Sequence, residues 1–142
     1  MFLDAQLLFS DAQAITAAAA STNIVDLGSA RDIGLGENLY VGVTVDVAFT
    51  DAGSDSTLTV ALQGDSTDTF TPDSTVTLFT IPALAAIGDS FFARISPAVA
   101  NLRYIRLYYT PVTGDLTTGS VTAFITKDIQ KVIDYPKGYT IT

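Results

Sequence analysis

Residues 39–50 read LYVGVTVDVAFT, and their alternation constrains this chain more than any other feature. Leu39, Val41, Val43, Val45, Val47 and Phe49 share one parity; Tyr40, Gly42, Thr44, Asp46, Ala48 and Thr50 share the other. Successive side chains of a strand point to opposite faces, so the pattern predicts a strand with one buried and one wet face.

Similar runs follow at short intervals. Leu58, Val60 and Leu62 alternate with Thr57, Thr59 and Ala61, and Ile105, Leu107 and Tyr109 alternate with Tyr104, Arg106 and Tyr108. Residues 22–27, 75–81, 90–95 and 120–126 carry the same β-branched and aromatic character. Gly34 and Gly36, residues 51–55, Gly64, Pro82, Gly88, Pro97 and residues 111–115 supply turn signals between them. Many short strands so punctuated predict an all-β domain, an antiparallel β-sandwich, with a jelly roll the favoured version. The alanine-rich residues 10–21 read either as a short helix, since Ala has the best helix propensity, or as an extended arm. The division that follows is an N-terminal arm over 1–20 packing on the domain or on a partner, a sandwich over 21–128 and a tail over 129–142. At 142 residues the chain fits one domain of ordinary size.

Composition excludes several functions. The chain has no histidine and no cysteine, which removes Ser-His-Asp triads, thiolate chemistry and the usual imidazole metal ligands. It also fits a protein made in a reducing cytosol. A net charge of −8 opposes nucleic-acid phosphates, so no nucleic-acid partner is expected. Asp4 interrupts the first ten residues, which hold no basic residue and make a poor signal peptide. No apolar run approaches a membrane span. Among carboxylates, Glu37 is the one glutamate and most aspartates sit in turn signals, where their side chains bond nearby backbone N–H groups. Asp46, on the wet face of the best strand, is the exception. Residues 51–55 and 65–68 have oxygen ligands but not the EF-hand spacing, and acidic turns explain them more simply. No catalytic residue, cofactor or metal is expected.

The unusual segment is residues 101–110, NLRYIRLYYT, which gathers two of four arginines and three of six tyrosines. Arg106 falls between Tyr104 and Tyr108 on one face, with Arg103 at the mouth of the strand. Tyr and Arg are enriched at interface centres, although they also decorate sheet exteriors and stack across strands. The other candidate contact is the N-terminal group Phe2, Leu3, Leu7, Leu8 and Phe9. Burying three of these would favour association by roughly 5–9 kcal/mol before entropic costs, unless they complete the domain's own core.

Four blocks carry a family resemblance: MFLDAQLLFSDAQ from Met1, STNIVDLG from Ser21, RYIRLYYT from Arg103 and GSVTAFITKD from Gly119. Together they resemble the small capsid cement proteins of tailed bacteriophages, and the Bordetella-phage cement protein family in particular. The resemblance runs from Met1 to about Asp128 and stops before the tail. It implies a jelly-roll cement, or decoration, protein made in the bacterial cytoplasm and carried on the outer surface of an icosahedral capsid. Such a protein bridges neighbouring major capsid subunits and associates with itself, as a homodimer or alternatively a homotrimer. It implies no catalytic residues. Two other classes stay open on the residues alone: a carbohydrate- or host-surface-binding module using Tyr104 and Tyr108, and a carboxylate hydrolase using Asp46 and Glu37.

Overall fold

The computed structural model describes residues 3–31, 33, 35–95 and 102–129, so Phe2 and the tail beyond Ile129 lie outside the described residues. A 3₁₀ turn at Ala5–Leu7 leads into β1 (Leu8–Ala14) and then β2 (Ala19–Ala20) and β3 (Val25–Asp26). The longer strands are β4 (Tyr40–Thr50), β5 (Thr57–Asp65), β6 (Ser74–Ile81), β7 (Ser90–Arg94), β8 (Tyr104–Val112) and β9 (Thr118–Thr126). They form a four-stranded sheet in the order β1-β9-β4-β7 and a five-stranded sheet in the order β2-β8-β5-β6, with β3 also on β8. Among the described residues every pairing is antiparallel, and only β5 and β6 are both paired and consecutive in sequence. The fold is an all-β, antiparallel sandwich.

Parity explains the core. Val41, Val43 and Val45 of β4 and Val121, Ala123 and Ile125 of β9 face Leu58, Val60 and Leu62 of β5 and Ile105, Leu107 and Tyr109 of β8, all buried. Phe9 and Ile15 join them from the N-terminal side. Each large apolar side chain hidden in this way contributes about 1.5–3 kcal/mol.

One expectation changes and one open alternative is decided. Val47, predicted inward, is 47% exposed, because register shifts on either side of it bulge β4 against β9. A bulge turns side chains to the other face, and the second shift returns Phe49 to the core. There Phe49 lies against Gly119, where an added Cβ would fall 2.5 Å from the ring and where φ is +154°. Only glycine tolerates both conditions.

The alanine-rich stretch takes the extended alternative and lies on the domain itself: residues 8–14 are strand β1, paired with β9 from Leu8 opposite Phe124 to Ala14 opposite Ser120. Specific hydrogen bonds outweigh helix propensity here. Gln13 Nε2 donates to the Ala20 carbonyl at 2.8 Å, and Gln13 Oε1 accepts from Thr22 N at 2.9 Å. Asn23 donates from N to the Phe9 carbonyl at 2.9 Å and from Nδ2 to the Leu8 carbonyl at 3.1 Å. These bonds stitch the edge of one sheet to the edge of the other. Ala19 and Ala20 lie opposite Tyr109 and Tyr108, small residues beside large rings.

Candidate interface

Strand β8 presents Tyr104, Arg106 and Tyr108 outward while Ile105, Leu107 and Tyr109 are buried, as the parity predicts. Across the sheet, Asp65 lies opposite Tyr104, Gln63 opposite Arg106 and Ala61 opposite Tyr108. Arg106 Nε donates to Gln63 Oε1 at 2.8 Å, and its guanidinium sits 4.0 Å above the Phe70 ring. Phe70 comes from the β5–β6 connection, which folds back over the sheet and leaves the residue only 8% exposed. Asp65 Oδ1 accepts from Thr67 N at 2.7 Å and Thr67 Oγ1 at 3.0 Å, and Asp73 Oδ2 accepts from Ser66 N at 3.1 Å. Arg106 is therefore a clamp on its own molecule's loop, and the half-buried flanks of Tyr104 and Tyr108 are what the face offers outward.

Arg103 precedes the first paired residue of β8 and forks onto Asp26, with Nε to Oδ1 at 2.9 Å and Nη2 to Oδ2 at 3.0 Å. Its guanidinium also lies 4.8 Å from the centroid of Tyr104. The Arg103 hydrogen bonds hold the Asp26 carboxyl below its ordinary value, with help from Gly28 N. In return, Asp26 raises the Arg103 pKa. The pair is solvent-exposed, so it orients β3 against β8 more than it stabilises the fold.

The N-terminal group is divided. Leu3 is exposed, Leu7 and Leu8 are half-buried, and Phe9 is wholly inside the protein's own core, where it has no surface to give a partner. Leu7 lines an apolar cavity of about 210 Å³ with Leu27, Ile33, Leu39 and Ile125. Leu8 stands opposite Phe124 on the outer face of the four-stranded sheet.

That outer face holds an aromatic shelf that strand parity does not single out. Phe92 and Phe124 flank Gly42 across the sheet and meet edge to face at 6.3 Å. A Cβ at Gly42 would stand 2.7 Å from the Phe92 ring and 2.8 Å from the Phe124 ring. The rings close over the backbone because nothing projects there. The available signal was a glycine in the middle of the wet parity of residues 39–50.

The carboxylates are occupied separately. Asp46 Oδ2 accepts from Thr122 Oγ1 at 2.6 Å, and Glu37 pairs with Lys127. Desolvation alone would raise the Asp51 pKa, but bonds from Asp55 N, Ser56 Oγ, Ser56 N and Gly53 N outweigh it and hold the group below its ordinary value. Residues 51–55 thus form an Asx-type turn, in line with the simpler sequence reading. Among the described residues, no group of three or more His, Cys, Asp or Glu side chains is placed to hold a metal ion, and no helix is long and apolar enough to cross a membrane.

The model of the Bbp16 family matches residues 9–125 of this chain, from the buried Phe9 to Ile125 in β9. No curated protein matches the sequence. Among solved structures, the chain is similar to one described as the structure of infectious bursal disease virus Gx strain, with a TM-score of 0.47 and 13% identity. That match covers 84% of this chain but only 30% of the viral one.

Proposed function

The chain belongs to the Bbp16 family, which is Bordetella phage-related and supports a phage structural protein, and on that premise we propose that it is a capsid cement protein. In this reading it lies on the outer surface of the icosahedral head, bridges neighbouring major capsid subunits and associates with itself, as a homodimer or alternatively a homotrimer. The observation that carries the reading is the pair of aromatic surfaces on opposite outer faces of one sandwich. Tyr104 and Tyr108 lie on one sheet, and on the other the half-buried Phe92 and Leu8 stand beside Phe124, which is itself only 2% exposed. A bridge needs two faces and a stiff body between them, and the stitched sheet edges supply the stiffness. The strand orders β1-β9-β4-β7 and β2-β8-β5-β6 support reading the sandwich as a jelly roll. No reaction is ascribed to the protein.

Cementing does not require one tight contact. Copies held on a lattice raise one another's effective concentration, so modest affinities combine. The test adds purified protein to shells lacking it. Near-stoichiometric co-sedimentation and a raised heat or pressure tolerance are expected, and both should weaken with Tyr108→Ala or Phe92→Ala. Shells whose tolerance is unchanged by the wild-type protein would overturn the reading. A second reading, a carbohydrate- or host-surface-binding module, draws on the half-exposed Tyr104 and Tyr108 rings; retention on polysaccharide that disappears with Tyr104→Ala would favour it.

A further inference from the structure

The sandwich has two sides, and they are finished differently. On one side, Gln13 and Asn23 occupy backbone groups along the edges of β1 and of the β2–β3 segment. On the other side β7 is short, five residues ending in Arg94, while β6 runs for eight residues and pairs only with β5 among the described residues. Natural sheets guard an edge with charges, proline or a strongly twisted bulge. Strand β6, STVTLFTI, has no charge and no proline, and its one guard is a single bulge at Leu78. It also opens the longest uncharged run of the chain, residues 74–88, which continues past β6 to the exposed Leu84 and Ile87.

We propose that β6 is a self-association edge, pairing antiparallel with β6 of a second copy about a two-fold axis near Thr77. The five-stranded sheets of the two molecules would then join into one. This deepens the homodimer reading above and rests on the cement function only for its place on a shell. Charge argues for a second copy as the occupant. Two molecules of net charge −8 repel wherever carboxylates meet, and along β6 the backbones can approach with none between them. An isologous contact also needs one self-complementary patch, and an antiparallel strand laid against itself is one. The exposed Thr75, Thr77 and Thr80 would face threonines and small polar groups of the other copy. A register shift on β6 at Leu78 breaks the edge near its middle. Pairing therefore falls into two short runs, which keeps the contact weak in solution and favours it on a lattice.

The absence of native cysteine makes the test direct. Full-length Thr77→Cys, treated with a short bis-maleimide at high protein concentration, should form covalent dimers. Asp11→Cys, on the exposed face of the opposite side, should remain monomeric. Thr77→Asp sets two carboxylates against each other at the axis and should weaken the dimer about tenfold or more by sedimentation, with the thermal melt preserved. Thr77→Cys that cross-links no better than Asp11→Cys, or Thr77→Asp that dimerises like the wild type, would overturn the proposal. Cross-linked dimers that fail to bind shells would leave this inference standing and defeat the cement reading. Shells bound by a protein whose Thr77→Cys stays monomeric would do the reverse.

Discussion

Tyr109 points inward from β8, fully buried, and its hydroxyl lies 2.7 Å from Ser10 Oγ. Ser10 donates its own proton to Gln13 Oε1 at 2.7 Å, so Tyr109 is the donor in the first bond, and the chain Tyr109–Ser10–Gln13 ties the core to the stitched edge. Burial pushes the phenol pKa well above its ordinary 10.0, against a smaller opposing effect of Ser10. An unfolded chain ionises this tyrosine near pH 10 while the folded one keeps it protonated, so the folded state holds more protons there. Stability is then fully present below about pH 10 and falls as pH rises beyond it. Denaturant titrations between about pH 9 and pH 11 should show that loss in the wild type and a shallower one in Tyr109→Phe. At neutral pH, Tyr109→Phe should cost only about 1 kcal/mol, because Ser10 keeps Gln13 as a partner. Gly42→Ala is expected to be worse, about 1–3 kcal/mol in the same titration, since one phenyl ring must leave the shelf. Parity alone placed Tyr104, Arg106 and Tyr108 on one face. It could not reveal that Arg106 is already engaged by Phe70, a contact created by loop folding and absent from any local pattern.

Among the elements, β1 and the β5–β6 connection behave in ways that propensity does not announce. Deleting residues 1–4 should leave the melt cooperative, whereas deleting residues 1–14 removes Phe9 and the partner of one edge of β9 and should abolish it. Calorimetry distinguishes the two. Arg106→Ala uncovers Phe70, so amide exchange across residues 66–73 should accelerate and stability should drop by about 1–2 kcal/mol, with the sandwich retained. Exchange that stays at wild-type rates would show that the loop is held by the Asp65 and Asp73 bonds alone. The long strands were legible because a period of two sustained along Tyr40–Thr50 or Tyr104–Val112 suits a half-buried strand and no helix. Strand β3 falls within the predicted residues 22–27, but β1 and β2 were not legible, because an alanine-rich run carries no parity signal and its conformation is decided by Gln13 and Asn23 bonding across the sheet edges.

For the whole molecule, acidity sets how copies meet. Self-association should strengthen as salt rises from about 0.05 to 0.5 M, since screening removes repulsion between like-charged bodies; sedimentation at both salts checks this. The sandwich was foreseeable from spacing, whereas the Phe92–Phe124 shelf required knowing which strands lie side by side. That pairing has a further consequence, for biosynthesis. Strand β9 lies between β1 and β4, and its pairing with β4 runs from Tyr40 opposite Thr126 to Thr50 opposite Thr118. Until residues 118–126 have left the ribosome, the four-stranded sheet lacks its middle, and contacts this distant in sequence form slowly. A nascent chain cut short before Thr118 has no route to the native state, so incomplete products are filtered out by their inability to fold.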